Sequence, residues 1–273
     1  MRFVWFLLVL VSGLSQAQQT AYTIARSAVI ELEDTSSGRT YPILIKLPRS
    51  YHNNGRSLYP VIYLADGHYS FQTVSGATRF PMNSGALPEA VIVAIGYSNE
   101  AKGVASRVRD YTPTKDPSWK LETGEAGAHA RFIREKIFTY VANHYRVDQS
   151  QRFYMGHSLA GLFGAYMALH QPDMFTGYVI SSPSVWFNNN SVLTLPFKPS
   201  QNPPKIYISV GSLETPEYGE GKNMVEEARK LETLLRTLPK SHSELKMKII
   251  DDARHATAFP TSAIQGLDWL MRE

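Results

Sequence analysis

Short apolar segments rich in β-branched residues alternate with helical patterns along most of the chain. The segments predicted as strands lie at 60–64, 90–95, 153–155, 178–180, 206–210 and 245–250. Between most of them, apolar residues recur at helical spacing, as at Phe132, Ile133, Ile137 and Val141. Strands that alternate with helices predict an α/β fold, with a mostly parallel central sheet and helices on both faces.

Four further segments differ from this alternation. In the segments 28–33 and 41–47, residue types that favour strands recur in alternation on either side of a Thr-Ser-Ser-Gly turn. This pattern predicts an antiparallel N-terminal hairpin at one edge of the sheet. The stretches 98–127 and 184–204 are polar or rich in proline and asparagine. We expect both to be excursions over the surface, where binding residues are often found.

The N-terminus has the pattern of an export signal. Arg2 is followed by an apolar run at 3–11 and by the small residues Ser15 and Ala17. This pattern predicts that residues 1–17 are a signal peptide cleaved near Ala17, and the alternative is an uncleaved membrane anchor. Residues 18–273 would then form a single domain that works in the periplasm or is secreted, with no membrane span in the mature protein.

Composition excludes several classes of function. Lys and Arg number 28 against 24 Asp and Glu, and no run of five basic residues occurs, so a nucleic-acid partner is not expected. The chain has no cysteine, which excludes disulfides, a thiol nucleophile and thiolate zinc sites. Motifs for metal, nucleotide or dinucleotide binding are also missing from the sequence, so we expect no cofactor and no metal.

Candidate chemistry begins with the segment 154–164, which reads YMGHSLAGLFG. An apolar strand runs into a serine flanked by small residues, and a helical pattern follows, which is the nucleophile-elbow arrangement. Ser158 is the predicted nucleophile, and the backbone N–H of Leu159 is a predicted oxyanion donor. Gly156 and the pair Ala160-Gly161 are small enough to avoid collisions between side chains in such a tight turn. The alternative is an ordinary Gly/Ser turn.

A serine nucleophile needs a general base, and His255 is the predicted one. It follows the last strand and is expected in a loop before a helix at 261–271, as the chain order nucleophile, acid, base requires. The alternative is a surface histidine. His157 adjoins the serine, but its neighbouring position would direct its side chain away from the hydroxyl.

The acid and the second oxyanion donor are less sharply specified. Glu214 is the first carboxylate after the strand at 206–210, and Glu217 and Asp252 are the alternatives. The backbone N–H of His68 follows a sharp turn allowed by Gly67, and the alternative is a plain Asp-Gly turn.

These motifs together resemble the esterase D family of α/β-hydrolases, in particular its enterochelin-esterase-type members. The resemblance rests on the elbow at 156–163, the stretch 60–67, the segment 182–186 and the late His255. It implies Ser158 as nucleophile, His255 as base, and Leu159 and His68 as backbone donors. It also supports Glu214, although some siderophore esterases of the family work with a serine–histidine pair alone. Ala160 stands where the family has glycine.

The resemblance also implies where substrate contacts lie. It suggests that the stretch carrying Arg107 and Arg109 borders the mouth of the active site, where an arginine could grip an anionic group. The alternative is a pair of solvated surface arginines. Trp186 is a further candidate for contact with the substrate.

The expected function is that of an exported serine hydrolase. It would cleave small-molecule carboxylic esters through an acyl-enzyme on Ser158, with water releasing the product. Three alternatives remain at the level of sequence: a hydrolase specific for siderophore triesters, an acyltransferase on the same fold, and a binding protein that keeps the fold without the activity. Nothing in the sequence indicates the oligomeric state.

Overall fold

The computed structural model describes residues 21–53, 55–200, 202–238 and 244–272. The predicted signal peptide and its cleavage site near Ala17 lie outside the described residues. In the part that is described, no helix combines the length and the apolar character needed to cross a bilayer.

The described residues build one sheet of eight strands, in the order β1-β2-β4-β3-β5-β6-β7-β8. The strands are β1 (Ser27–Asp34), β2 (Arg39–Lys46), β3 (Tyr59–Leu64), β4 (Val91–Ile95), β5 (Val147–His157), β6 (Gly177–Ser181), β7 (Lys205–Gly211) and β8 (Leu245–Ile250). β1 pairs with β2 and β2 with β4 in antiparallel fashion, and every other pairing is parallel. The predicted α/β architecture, with its antiparallel edge hairpin, is therefore confirmed.

Helices cover both faces of this sheet. They are α1 (Gly67–Ser84), α2 (Gly103–Tyr111), α3 (Ala126–Phe132), α4 (Phe138–His144), α5 (Leu159–His170), the single turn α6 (Phe187–Asn190), α7 (Met224–Thr237) and α8 (His255–Met271). A π-helical turn at Ile133–Ile137 joins α3 to α4. The predicted apolar helical face at Phe132, Ile133, Ile137 and Val141 is buried as expected.

The core has two halves because successive strand side chains point to opposite faces. Tyr63 of β3 and Tyr154 of β5 belong to the half covered by α2 to α5 and α7. Leu64 and Met155, the residues that follow them, belong to the half covered by α1 and α8. A sheet buried on both faces explains why the central strands read as nearly continuous apolar runs.

The two polar stretches are more deeply packed than the sequence suggests. The segment 98–127 contains α2, in which Ser106, Val108, Arg109, Asp110 and Tyr111 are all buried. The segment 184–204 buries Ser184, Val185, Phe187 and Val192. The expectation that both run over the surface is wrong for these parts, because the polar groups of α2 find partners inside the protein and the apolar residues of 184–204 pack in the core.

Candidate active site

Ser158 lies on a strained turn between β5 and α5. Its backbone has φ 61° and ψ −118°, a conformation that non-glycine residues rarely adopt. A Cβ atom at Gly156 would approach the carbonyl group of Ala160 and stand 2.6 Å from the Tyr154 hydroxyl. At Gly161 a Cβ would lie 2.7 Å from the Ser181 carbonyl oxygen. The small residues therefore allow the tight turn that the sequence pattern predicts.

Hydrogen bonds hold this turn in place. The Ser158 backbone N–H donates to the Ser181 carbonyl (3.0 Å), and the Ser158 carbonyl accepts from the Ser184 N–H (3.1 Å). The buried Tyr154 hydroxyl donates to the Ala160 carbonyl at 2.8 Å. Ala160 itself is fully buried, so the turn accommodates the methyl group that replaces the family's glycine.

His255 and Glu214 are hydrogen-bonded to each other. His255 Nδ1 lies 2.7 Å from Glu214 Oε2, and the Glu214 side chain is completely buried. Because Nδ1 is engaged by the carboxylate, Nε2 is the ring nitrogen left to interact with a serine hydroxyl. His255 is the first residue of α8 rather than part of a loop, because the last helix begins six residues earlier than the pattern at 261–271 indicates.

The second carboxylate oxygen of Glu214 is held just as firmly. Oε1 accepts from the Ser182 hydroxyl at 2.6 Å and from the Gly211 backbone N–H at 2.7 Å. The two alternative acids, Glu217 and Asp252, are exposed. Of the three candidates, the structure brings Glu214 to His255, and its partner Ser182 belongs to the segment 182–186 but had no role predicted from the sequence.

Ser158 and His255 line the same small cleft, of about 220 Å³. Ser184, Trp186, Lys222 and Met224 contribute to its walls. The Ser184 hydroxyl lies 3.3 Å from that of Ser158. The segment 182–186 carries part of the family resemblance in the sequence. In the structure, its residue Ser184 lies beside the predicted nucleophile.

His157 occupies an unexpected position. Its ring packs against that of His255, with 4.5 Å between ring centroids, and its Nδ1 lies 3.0 Å from the Ser181 hydroxyl. Burial lowers the pKa of His157 to about 3, and the nearby His255 and Arg107 act in the same direction. Adjacency to the serine is the only sign of this contact in the sequence, and a neutral His157 adds no positive charge next to His255.

The two predicted oxyanion donors both lie in first turns of helices. Leu159 begins α5 and His68 is the second residue of α1, and backbone N–H groups at such positions have no acceptor within their own helix. Asp66, which precedes α1, has a left-handed backbone (φ 53°). Gly67 faces the Ile95 carbonyl, where a Cβ would stand at 2.8 Å, so no larger residue fits.

Arg107 joins this loop to the serine turn. Its Nε and one terminal nitrogen bind the two carboxylate oxygens of Asp66, at 2.8 and 3.1 Å. The same terminal nitrogen donates to the His157 carbonyl at 3.1 Å. The Tyr97 hydroxyl donates to Asp66 as well (2.7 Å). Arg107 thus contacts the serine turn but is not among the described residues that line the cleft, and its Nε and this terminal nitrogen are engaged by Asp66 and His157.

Arg109 does not reach the cleft, so its predicted contact with substrate is wrong. Its guanidinium is buried, with Nε 2.8 Å from Asp110 Oδ1 and a terminal nitrogen bound to Ser98 (3.2 Å) and Tyr41 (3.3 Å). A charge surrounded by a carboxylate and hydroxyl groups is satisfied inside the protein and is not available to a ligand.

Trp186 does line the cleft. Its ring stacks on that of Trp119, with 6.3 Å between centroids, and the Lys222 ammonium lies 5.5 Å from its ring centre. The lining of the cleft therefore includes an aromatic side chain, the Lys222 ammonium and the Glu220 carboxylate.

Known proteins match this chain over most of its length. The family model described as "Putative esterase" matches residues 35–244. The ferri-bacillibactin esterase BesA of Bacillus subtilis (strain 168) is 34% identical over 214 residues, which is 71% of this chain and 73% of that protein. A siderophore triacetylfusarinine C esterase of Aspergillus fumigatus is 30% identical over 59% of this chain and 56% of its own length.

A solved structure agrees with the sequence matches. The crystal structure of the BES protein from Bacillus cereus superposes with a TM-score of 0.79 at 26% identity, covering 95% of this chain and all of that one. The family model alone spans more than half of the chain, from the edge hairpin to the start of β8. This chain is a member of that esterase family.

Proposed function

We propose that this protein is an exported serine hydrolase that cleaves carboxylic esters through an acyl-enzyme on Ser158. The observation that carries the proposal is the 2.7 Å contact between His255 Nδ1 and Glu214, with His255 and Ser158 lining one cleft. Family membership supports ester hydrolysis as the class of reaction.

In the first half-reaction, His255 Nε2 takes the proton of the Ser158 hydroxyl while Oγ attacks the ester carbonyl carbon. The tetrahedral intermediate then collapses, the bond to the alkoxy oxygen breaks, and His255 returns the proton to the leaving alcohol. Water, activated by the same histidine, hydrolyses the acyl-enzyme and restores the free serine. Glu214 keeps Nδ1 protonated and stabilises the imidazolium that forms in both steps.

The negative charge on the carbonyl oxygen needs fixed donors. The backbone N–H groups of Leu159 and His68 are proposed for this role, because first-turn N–H groups are free and carry the positive end of the helix dipole. Donors held by backbone need no reorganisation when the charge develops, and each such donor is typically worth about 10²–10³ in kcat.

The proposed substrates are siderophore esters. Support comes from two relatives whose names describe ferri-bacillibactin and triacetylfusarinine C esterases. The cleft adds an aromatic side chain, Trp186, which suits a planar acyl group. Lys222 lies 5.5 Å from this ring, and Glu220 lines the same cleft, so its walls carry charges of both signs.

The test uses two neighbouring serines. Ser158→Ala is expected to lower kcat for p-nitrophenyl acetate by about 10⁴-fold, as loss of a triad nucleophile does. Ser184→Ala, which removes the hydroxyl 3.3 Å away, is the matched control and should keep most of the activity. A fluorophosphonate should add its mass to the wild type and to the control but not to Ser158→Ala. Activity of Ser158→Ala within tenfold of wild type would refute the assignment.

Substrate class is tested separately, with kcat/KM for a tri-catecholate siderophore ester and for p-nitrophenyl acetate. A preference for the siderophore ester supports the proposed class. Product analysis with added alcohols distinguishes hydrolysis from acyl transfer, because an acyltransferase would give the new ester in place of the acid.

Export is tested by intact-mass measurement of the protein from its native host. Cleavage after Ala17 predicts a chain that begins at Gln18 and collects outside the cytoplasmic membrane. A mass that still includes residues 1–17 would contradict the predicted cleavage.

A further inference from the structure

A second cavity lies away from Ser158 and is surrounded by basic side chains. It has a volume of about 830 Å³ and is lined by Arg26, Lys46, Arg49 and Arg79, among others. None of the described residues that line it carries a carboxylate. The described walls of this space therefore carry four basic side chains and no carboxylate.

The cavity lies toward the end of the sheet opposite the predicted catalytic residues. Lys46 ends β2 and pairs with Ile92, near the start of β4. Ser158 follows the carboxyl end of β5, which runs in the same direction as β3 and β4. The described residues that line the two spaces do not overlap. A ligand in the basic cavity would leave the cleft at Ser158 open.

Lys46 is the most unusual member of this group. It is only 8% exposed, and no described carboxylate lies within ion-pair distance of it. Burial lowers the pKa of Lys46, Arg26 and Arg79 lower it further, and Glu89 opposes them. The Glu89 carboxylate is already engaged by the backbone N–H and the hydroxyl of Ser50. Lys46 is therefore a largely buried lysine with no carboxylate partner among the described residues, and a bound anion would compensate its charge.

A hydroxyl group in the same cavity also lacks a partner. Ser75, on the face of α1 that borders the cavity, has a buried Oγ with no hydrogen-bond partner among the described residues. Buried polar atoms in folded proteins are nearly always hydrogen-bonded, so an isolated one at the wall of a cavity indicates a missing partner. Rotation of the Ser75 side chain would direct this hydroxyl to an oxygen atom of a ligand in the cavity.

We propose that this cavity binds the phosphate group of a ligand. Three guanidinium groups and an ammonium can supply many charge-assisted donors, which matches the several oxygens and the double charge of a phosphate better than a single carboxylate. The cavity is of the size that takes small organic ligands, so the phosphate belongs to a larger molecule. That molecule is either a soluble phosphate ester or a phospholipid headgroup.

The first test is calorimetric titration of the purified protein with inorganic phosphate at low ionic strength, with chloride at equal ionic strength as the reference. Lys46→Met is expected to weaken phosphate binding by about tenfold or more, because it removes a buried charge-assisted hydrogen bond. Arg79→Gln, on the surface of α1, should weaken it as well. Lys246→Met, which changes an exposed lysine on β8, is the matched control and should bind like wild type.

Ester hydrolysis and melting temperature keep the result interpretable. All three variants should hydrolyse p-nitrophenyl acetate at the wild-type rate, which verifies that they are folded. Phosphate should raise the Tm of wild type and of Lys246→Met more than that of Lys46→Met, because a ligand stabilises the state that binds it. The proposal is overturned if wild type does not bind phosphate at millimolar concentrations, or if Lys46→Met and Arg79→Gln bind it as well as wild type.

Vesicles distinguish the two sources of the phosphate group. Sedimentation with phosphatidylglycerol vesicles, competed by inorganic phosphate and weakened by Lys46→Met, identifies a lipid headgroup. Phosphate binding without sedimentation identifies a soluble phosphate ester. Phosphatidylcholine vesicles, which carry no net charge, control for non-specific adsorption.

Discussion

Replacing Arg107 with alanine should slow catalysis without weakening substrate binding. The guanidinium makes three hydrogen bonds, two to the Asp66 carboxylate and one to the His157 carbonyl. Asp66 introduces the loop that presents the His68 N–H, and His157 precedes Ser158. Arg107 therefore fixes the distance between the two proposed oxyanion donors, and it acts as a positioning residue.

The expected size of the kcat effect depends on which hydrogen bonds of the loop remain in Arg107→Ala. The variant leaves Asp66 bound by the Tyr97 hydroxyl, and the Asp66 N–H still donates to Tyr111 at 3.0 Å. The loop should loosen rather than unfold, so loss of one well-placed oxyanion donor, about 10²-fold in kcat, is the expected effect. Because the Arg107 and Asp66 side chains are 23% and 12% exposed, we expect a stability loss of about 2 kcal/mol, below that of a fully buried pair.

The assay is steady-state kinetics on one neutral and one anionic ester. A positioning role predicts that kcat falls about equally for both and that KM changes little. A contact with substrate predicts a higher KM for the anionic ester alone. Arg39→Ala removes a partly exposed ion pair with Glu125 and is the control, expected to cost no more than about 1 kcal/mol of stability and no activity.

A double-mutant cycle makes the test sharper. If Arg107 acts through Asp66, the kcat effects of Arg107→Ala and Asp66→Asn should overlap, and the double variant should be little slower than the worse single variant. Arg107→Lys keeps the positive charge but loses the planar pair of N–H donors, so its kcat should lie between those of Arg107→Ala and wild type. Unchanged kcat with a raised KM for anionic esters would refute the reasoning and restore Arg107 as a substrate-binding residue.

Three further predictions concern the groups around Ser158. Glu214→Gln should lower kcat by up to about 10⁴-fold because the His255 ring loses the partner that fixes its tautomer, whereas Glu217→Gln, at an exposed position, should not; near-wild-type rates for both in steady-state assays would indicate a serine–histidine dyad. The pKa of His157 falls from 6.5 unfolded to about 3 folded, so the unfolded state binds more protons between these values and stability is lost as pH decreases through that window. Urea unfolding from pH 7 to pH 4 should therefore show a smaller loss for His157→Asn than for wild type, and equal losses would contradict the assignment. Gly156→Ala should destabilise the fold by at least about 1–3 kcal/mol, because the new Cβ would collide with the Ala160 carbonyl group; thermal unfolding measures this, and a wild-type Tm would show that the turn is less tight than its geometry indicates.

The parts of the site that were predictable from sequence depend on short-range rules. Gly156 and Gly161 mark a turn that other residues cannot make, so the position of Ser158 follows from its immediate neighbours. Glu214 was found because parallel strands end at one edge of a sheet, where the first carboxylate after β7 can meet a histidine that follows β8. Both inferences need only the order of elements and the local geometry.

The parts that were missed depend on contacts between distant residues. Ser182 binds Glu214 across 32 positions, and His157 contacts His255 across a gap of nearly a hundred. No local pattern distinguishes these side chains from ordinary serines and histidines. The same is true of Ser75 and Lys46, whose significance comes from burial that the sequence does not show.

The arginines of α2 explain why a polar segment was misjudged and what it contributes. Charged residues usually lie at the surface unless they are paired, and in α2 both arginines are paired with carboxylates. Arg109 turns toward Asp110 and Tyr41 of β2, whereas Arg107 turns toward Asp66 and the carbonyl of His157. One helix thus ties the edge hairpin, the loop after β3 and the serine turn into a single unit. Its polar residues connect three parts of the chain that are distant in sequence. Hydrogen-bonded charges fix the relative positions of such parts more specifically than apolar packing does.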